Sequence, residues 1–366
     1  MDFADRLDRA RKATAAAGLD ALLVTPGADL RYLTGYPAVA LERLTCLVLP
    51  ADGDPLLVVP RLERPAALAS PVGGLGLEVA DWEETDDPYA PVVARVPPGA
   101  RRVGLADSMP AAKVLALRAA LPAAEQTLAA AVLGPLRARK APGEVAALRH
   151  AGEAIDRVHA RIGEWLRPGR TEREVGRDVA EAIVAEGHQR VDFVIVGSGP
   201  NGASPHHELS DRRIEAGDPV VVDIGGTTAD GYCSDSTRTY VAGGEAPADF
   251  RAYYDVVLAA QEAGVAAVRP GVAAESVDAA ARDVIAAGGY GDAFIHRTGH
   301  GIGLQTHEDP YVVAGNAEPL EPGMAFSVEP GVYLPTRHGA RIEDIVVVTG
   351  TGAERLNLTS RALTVL

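Results

Sequence analysis

The chain has 366 residues, 47% of them hydrophobic, and a formal net charge of −15, which suits two domains of about 130 and about 230 residues. With no compact Lys/Arg stripe to offset it, that charge repels phosphate backbones and excludes nucleic acid as an expected partner. There is no basic-then-apolar leader after Met1, no apolar run of the roughly 20 residues that span a bilayer, and no disulfide framework from Cys46 and Cys233, so a cytoplasmic protein without membrane insertion is expected.

Strand-like runs open the chain at Ala21–Val24, Leu44–Leu49, Leu56–Val59 and Val103–Leu105, alternating with helical stretches as an α/β domain requires. The pattern breaks around Leu133-Gly134-Pro135. We place the boundary there, giving domains 1–134 and 135–366. A long amphipathic helix follows Pro142, with Val145, Leu148, Ile155, Val158, Ile162 and Leu166 at helical spacing.

The C-terminal part repeats itself. Arg167-Pro168-Gly169, Val175, Ile183 and Gly187 recur 102 positions later as Arg269-Pro270-Gly271, Val277, Ile285 and Gly289. Each copy leads to a glycine pair, Gly197-Ser198-Gly199 and Gly299-His300-Gly301. At an offset of 106, Glu215-x-Gly217 with Val222-Asp223-Ile224-Gly225 recurs as Glu321-x-Gly323 with Val328-Glu329-Pro330-Gly331. A second acid follows each, Asp235 and Glu343, 12 and 14 positions on. Two α/β halves related by a pseudo-two-fold bring these four carboxylates to a shared axis. Asp223 and Glu329 are expected where buried strands end, and unpaired acids there are costly or protonated. A cation is the natural counterweight. Hard oxygen donors with one imidazole favour Mn, Co or Zn over Ca or Mg. The imidazole comes from His296, His300 and His307, grouped in a glycine-broken segment that points to a site.

These stretches, together with Ser204-Pro205-His206-His207, Ser234-Asp235-Ser236-Thr237-Arg238-Thr239 and Gly339-Ala340-Arg341-Ile342-Glu343-Asp344, resemble the creatinase/methionine aminopeptidase-like (M24) peptidases, in their proline-specific branch. Ala28-Asp29-Leu30-Arg31-Tyr32-Leu33-Thr34-Gly35 resembles the creatinase-type N-terminal domain. The resemblance implies a pita-bread catalytic domain behind a creatinase-like α/β domain. It implies metal ligands Asp223, Asp235, His300, Glu329 and Glu343 for two divalent ions, manganese first, with cobalt or zinc as alternatives. Glu329 is also the implied general base, and His206, His296 and His307 the substrate and transition-state contacts. The implied reaction is hydrolysis of the Xaa-Pro bond of short peptides by a metal-bridging hydroxide, in a homodimer. Its alternatives are aminopeptidase P activity on longer peptides and, remotely, a non-catalytic peptide-binding module.

The two aspartates stand one residue further apart than in many relatives, which makes Asp230 a competing acid in the Thr227 to Gly231 turn. Thr306 replaces a usual apolar residue before His307. Cys233 reads as a small buried filler. Arg341, sharing a face with Glu343, is expected to support that site or the substrate. No arginine lies between His307 and Glu329, so a clamp for a substrate carboxylate has to come from Arg337, His338 or Arg238.

Overall fold

Two stretches of chain fold as separate units in the computed structural model, which describes residues 1–366: Met1–Arg137 and Ala138–Leu366. In the first, helix α1 (Phe3–Ala16) precedes β1 (Ala21–Val24), α2 (Ala28–Thr34), β2 (Cys46–Pro50), β3 (Leu56–Pro60) and α3 (Arg64–Ala69). Next come β4 (Glu78–Trp82), α4 (Ala90–Arg95), β5 (Arg102–Leu105), α5 (Ala111–Ala120), β6 (Glu125–Leu128) and α6 (Ala130–Ala138). The six strands form one mixed sheet, ordered β4-β3-β2-β1-β5-β6, whose inner rows are buried Leu, Val and Cys46. The second strand begins at Cys46 rather than at Leu44, because the Leu44 carbonyl accepts from Trp82 Nε1 (3.0 Å) instead of joining the ladder.

The second unit opens with α7 (Pro142–Ala160), α8 (Glu172–Ala185), β7 (His188–Ser198), β8 (Asp218–Thr228) and β9 (Ser236–Ala242). It continues with α9 (Ala248–Ala267), α10 (Ala274–Ala287), β10 (Gly299–Gly301), β11 (Glu308–Val312) and β12 (Ala325–Val328). The hairpin of β13 (Gly331–Leu334) and β14 (His338–Arg341) follows, then β15 (Asp344–Val348), β16 (Ala353–Arg355) and β17 (Thr364–Val365). Beside the two-stranded sheet of that hairpin, two larger sheets result, β17-β9-β8-β7 and β11-β10-β12-β15-β16. One buried core packs α7 and α8 against β7, β8 and β9, and others pack α9 and α10 against the second half. This is the expected pita-bread α/β architecture.

The repeat extends to single hydrogen bonds. Gly169 N donates to Ile214 O and Gly271 N to Leu320 O, both at 2.8 Å. Gly217 N bonds Ala242 O (3.0 Å) as Gly323 N bonds Val348 O (2.9 Å), both glycines at φ 90°. The helices α8 and α10 each have 14 residues. The helix after Pro142 is shorter than the apolar spacing suggests. It stops at Ala160, Ile162 lies in a short 3₁₀ turn, and Leu166 reaches the same core from beyond it.

Asp223 does not end its strand, as the sequence reading expected; it sits in the middle of β8, which runs on to Thr228. The glycine pair after it permits close neighbours rather than termination. A Cβ at Gly225 would lie 2.5 Å from Ser234 O and 2.6 Å from the Phe193 ring.

Candidate metal centre and its cavity

Five elements deliver five side chains to one place in the second unit. Asp223 comes from mid-β8, Asp235 from just before β9, His300 from the centre of β10, Glu329 from just after β12, and Glu343 from between β14 and β15. β10 can run here only because its flanks are glycine. A Cβ at Gly299 would lie 1.8 Å from Ser327 O, and one at Gly301 2.2 Å from Asp309 O.

His300 Nε2 stands 3.2 Å from Glu329 Oε1 and 3.7 Å from Asp235 Oδ2, while its Nδ1 faces Gly301 O at 3.2 Å. The His307 ring meets it edge-on, with centroids 4.0 Å apart. Thr237 Oγ1 donates to Glu343 Oε2 (2.7 Å), and Ser327 Oγ to Glu329 Oε1 (3.0 Å). Arg341 is 2% exposed. Its guanidinium donates to Asp223 Oδ2, the Tyr333 hydroxyl, Thr237 Oγ1 and Pro205 O, which makes it a brace for Asp223.

The acids are in electrostatic conflict. Burial first, then repulsion from Glu343, Asp223 and Glu329, pushes the Asp235 carboxyl well above its ordinary value. Glu343 is raised in the same way, by burial and then by Glu329 and Asp223. Glu329 goes down to about 2: burial opposes ionisation, but the hydrogen bond and charge of His300, with His296 and Arg341, outweigh it. Asp223 Oδ1 and Glu343 Oε1 are buried without any hydrogen-bond donor. A divalent cation resolves all of this, since it replaces the retained protons and satisfies the orphaned oxygens. Three overlapping sets place one donor atom of each member within 4.8 Å of the others: Asp235-His300-His307, His300-Glu329-Glu343 and Asp223-Asp235-Glu343. His307 enters one of them, so its ring is near enough to act as a donor. The residues present therefore fit a divalent metal group.

The cluster opens into a cavity of about 830 Å³ that His206, His296 and His307 also line. His296 is held between Tyr333 Oη (2.8 Å, Nε2) and Arg297 O (2.7 Å, Nδ1). Desolvation, with the His300 and Arg297 charges next, pushes the His307 imidazole down to about 4, so it is neutral near pH 7 and able to donate one hydrogen bond.

The three clamp candidates lie elsewhere. Arg337 is exposed at the β13–β14 turn and pairs with Asp249, and His338 stacks on Tyr253. Arg238, within β9, is buried and donates to Glu343 O, Thr359 O and Asp344 Oδ1. None of them lines the cavity. Arg297, which sequence reasoning passed over, does line it, with its guanidinium 4.4 Å over the Tyr311 ring. Its only signal was its place beside His296. Asp230 is exposed and outside the cluster. Cys233 packs with Tyr232, Ile302 and Ala325, and burial pushes its thiol up to about 11. No helix is long and apolar enough to cross a membrane.

Known proteins resemble this chain in sequence and in fold. The family model described as metallopeptidase family M24 matches residues 146–350, and that of the creatinase/prolidase N-terminal domain matches residues 6–139. A probable dipeptidase PepE of Mycobacterium tuberculosis is 57% identical over 355 residues, covering 97% of this chain and 94% of the relative. A Xaa-Pro dipeptidase of Lactobacillus delbrueckii subsp. lactis is 34% identical, covering 98% of each. The crystal structure of dipeptidase PepE from Mycobacterium ulcerans superposes with a TM-score of 0.94 at 55% identity, covering 100% of this chain and 99% of that one. The chain belongs to metallopeptidase family M24 and is a hydrolase with a creatinase-type N-terminal domain ahead of its catalytic one.

Proposed function

We propose that this chain hydrolyses the Xaa-Pro bond of dipeptides, with Asp223, Asp235, His300, Glu329 and Glu343 holding two divalent ions, manganese first. The observation that carries the reading is the buried carboxylate cluster with two orphaned oxygens in the wall of an 830 Å³ cavity. The names of the relatives support the substrate class. Residues 1–134 serve as the creatinase-like domain and 135–366 as the catalytic one.

When bound, the ions supply Lewis acidity toward a water and the scissile carbonyl. Glu329, whose carboxylate stays ionised, accepts the proton of the attacking water and delivers it to the proline nitrogen as the bond breaks. His307 and His206 donate toward the carbonyl oxygen as charge develops on it. Tyr333 and the Arg297 carbonyl hold His296 against the substrate. Arg341 keeps Asp223 oriented, the supporting role expected for it, and it also lines the cavity that takes the substrate. Arg297 makes no ion pair inside the protein and faces the cavity, so it takes the proline carboxylate. The resemblance adds a homodimer and a cytoplasmic setting.

A metal-reconstituted panel of Xaa-Pro, Xaa-Pro-Yaa and Met-Ala-type peptides tests the reading. Preference for Xaa-Pro is the expected result. Cleavage confined to Xaa-Pro-Yaa would make it an aminopeptidase P, and no cleavage at all would leave a binding module.

A further inference from the structure

One acid outside the cluster is enclosed more completely than any of the five candidate ligands. Glu172, the first residue of α8, has 0% exposure. Its Oε1 accepts from Ser198 N (2.8 Å), Ser198 Oγ (2.7 Å) and Asn201 Nδ2 (3.0 Å). Its Oε2 accepts from Ser210 Oγ (2.5 Å) and lies 2.7 Å from His207 Nε2. Burial alone would keep this carboxyl protonated. The donors from Ser210, Ser198 and His207 overcome it and hold the group below its ordinary value, and the start of a helix favours the same charge.

These partners span the segment 198–210, and between them Ser204, Pro205 and His206 reach the cavity. The segment is seated a second time on the same helix. Leu209 packs over Gly176, where a Cβ would lie 2.5 Å from its Cδ1. The second half has no acid at the equivalent position, and its α10 instead uses the buried Asp278, which accepts from Thr298 N (3.0 Å). At the offset of 102, Glu172 becomes Ala274, Gly176 becomes Asp278 and Ser198 becomes His300. Where the second half has His300 on the strand, the first has Ser198, which bonds the Glu172 carboxylate.

We infer that Glu172 is a positioning residue of the peptidase site, its buried carboxylate holding the segment 199–210 so that His206 stands in the cavity wall. The inference rests on the role given to His206 above. Ordering this loop in the folded protein spares the substrate from ordering it on binding. Glu172→Gln keeps the shape but turns an amide donor toward groups that already donate.

Hydrogen exchange and kinetics together test it on the full chain. In Glu172→Gln, the hydrogen-bonded amides of Ser198, Ser204 and Arg212 are expected to exchange at least about tenfold faster, and kcat/KM to fall about 10- to 100-fold. Placed on His206→Ala, the same change is expected to cost less than about threefold, since its effect runs through His206. Should Glu172→Gln fail to fold, Ser210→Ala, which removes one donor from the loop side, is read in the same way with smaller changes. Unchanged exchange at Ser204 and Arg212 in a folded variant overturns the inference. So does a full, multiplicative loss on top of His206→Ala. If the wild type cleaves no Xaa-Pro peptide, the functional reading fails by itself and the exchange measurement still decides whether Glu172 holds the segment.

Discussion

The two halves of the C-terminal unit have nearly the same backbone and quite different cargo. Helices of equal length, glycines at the same φ and matched hydrogen bonds recur from one to the other. Each half contributes two of the four acids, yet at the strand position where the second has the imidazole of His300 the first has Ser198. The first presents His206 on a loop, and the second presents His296 and His307 on the segments flanking β10. Duplication supplies a symmetric cradle of charge. In the proposed function the asymmetry of the histidines gives the site a direction, as a peptide with two different ends requires.

Metal removal strikes both halves at once and should have the largest effect. Chelated protein is expected to lose activity by at least about 10⁴-fold and to regain it with Mn or Co. Elemental analysis should find up to two ions per chain. Persistent activity in metal-free protein would deny that the shared acids form one site.

Replacing one acid in each half compares them directly. Glu329→Gln should lower kcat by about 10³-fold, because it removes a proton acceptor as well as a donor to the ion. Asp223→Asn should lower it less and weaken metal retention more. Equal losses in kcat with equal metal content would remove the distinction between base and ligand.

The histidines should separate the halves further. His296→Ala is expected to cost about 10- to 100-fold in kcat/KM, well short of Glu329→Gln. Arg297→Ala should reduce the ratio of kcat/KM for Xaa-Pro over Xaa-Pro-Yaa by about 10- to 100-fold, the worth of one hydrogen bond to a charged group. Arg337→Ala, at an exposed turn, should leave that ratio unchanged. A fall with Arg337→Ala and none with Arg297→Ala would return the clamp to the hairpin.

The smallest expected difference concerns stability. Gly299→Ala should cost about 3 kcal/mol in urea unfolding, since its Cβ would strike the Ser327 carbonyl. Its counterpart Gly197→Ala, whose Cβ would meet Gly202 Cα at 3.1 Å, should cost about 1 kcal/mol. Equal costs would show that the second half is no tighter around its histidine than the first is around its serine.

Much was legible in the sequence itself. Apolar period and glycine punctuation are local signals, so the strands at Ala21, Leu56 and Val103 and the helix after Pro142 could be read directly. The repeat could be read because two halves packing about one axis must place equivalent turns at equivalent positions. It marked Asp223, Asp235, Glu329 and Glu343 as a set before any fold was seen. The position of Asp223 inside β8 was not legible, because Gly225 and Gly226 resemble a strand stop until Ser234 and Phe193 are found pressed against the first and Arg190 and His188 against the second. Arg297 and Glu172 were equally silent. A lone arginine beside a histidine and an acid at a helix start are common on any surface. What each one does depends on partners far away in the chain, and only folding brings those together. Arg238 and Arg337 show the converse, since both stand near the motifs in sequence and are engaged elsewhere. Composition, period and repetition thus determined the architecture and the acids. The tertiary structure alone decided which neighbouring charges face the cavity, because that depends on the direction of a side chain, which no spacing rule encodes.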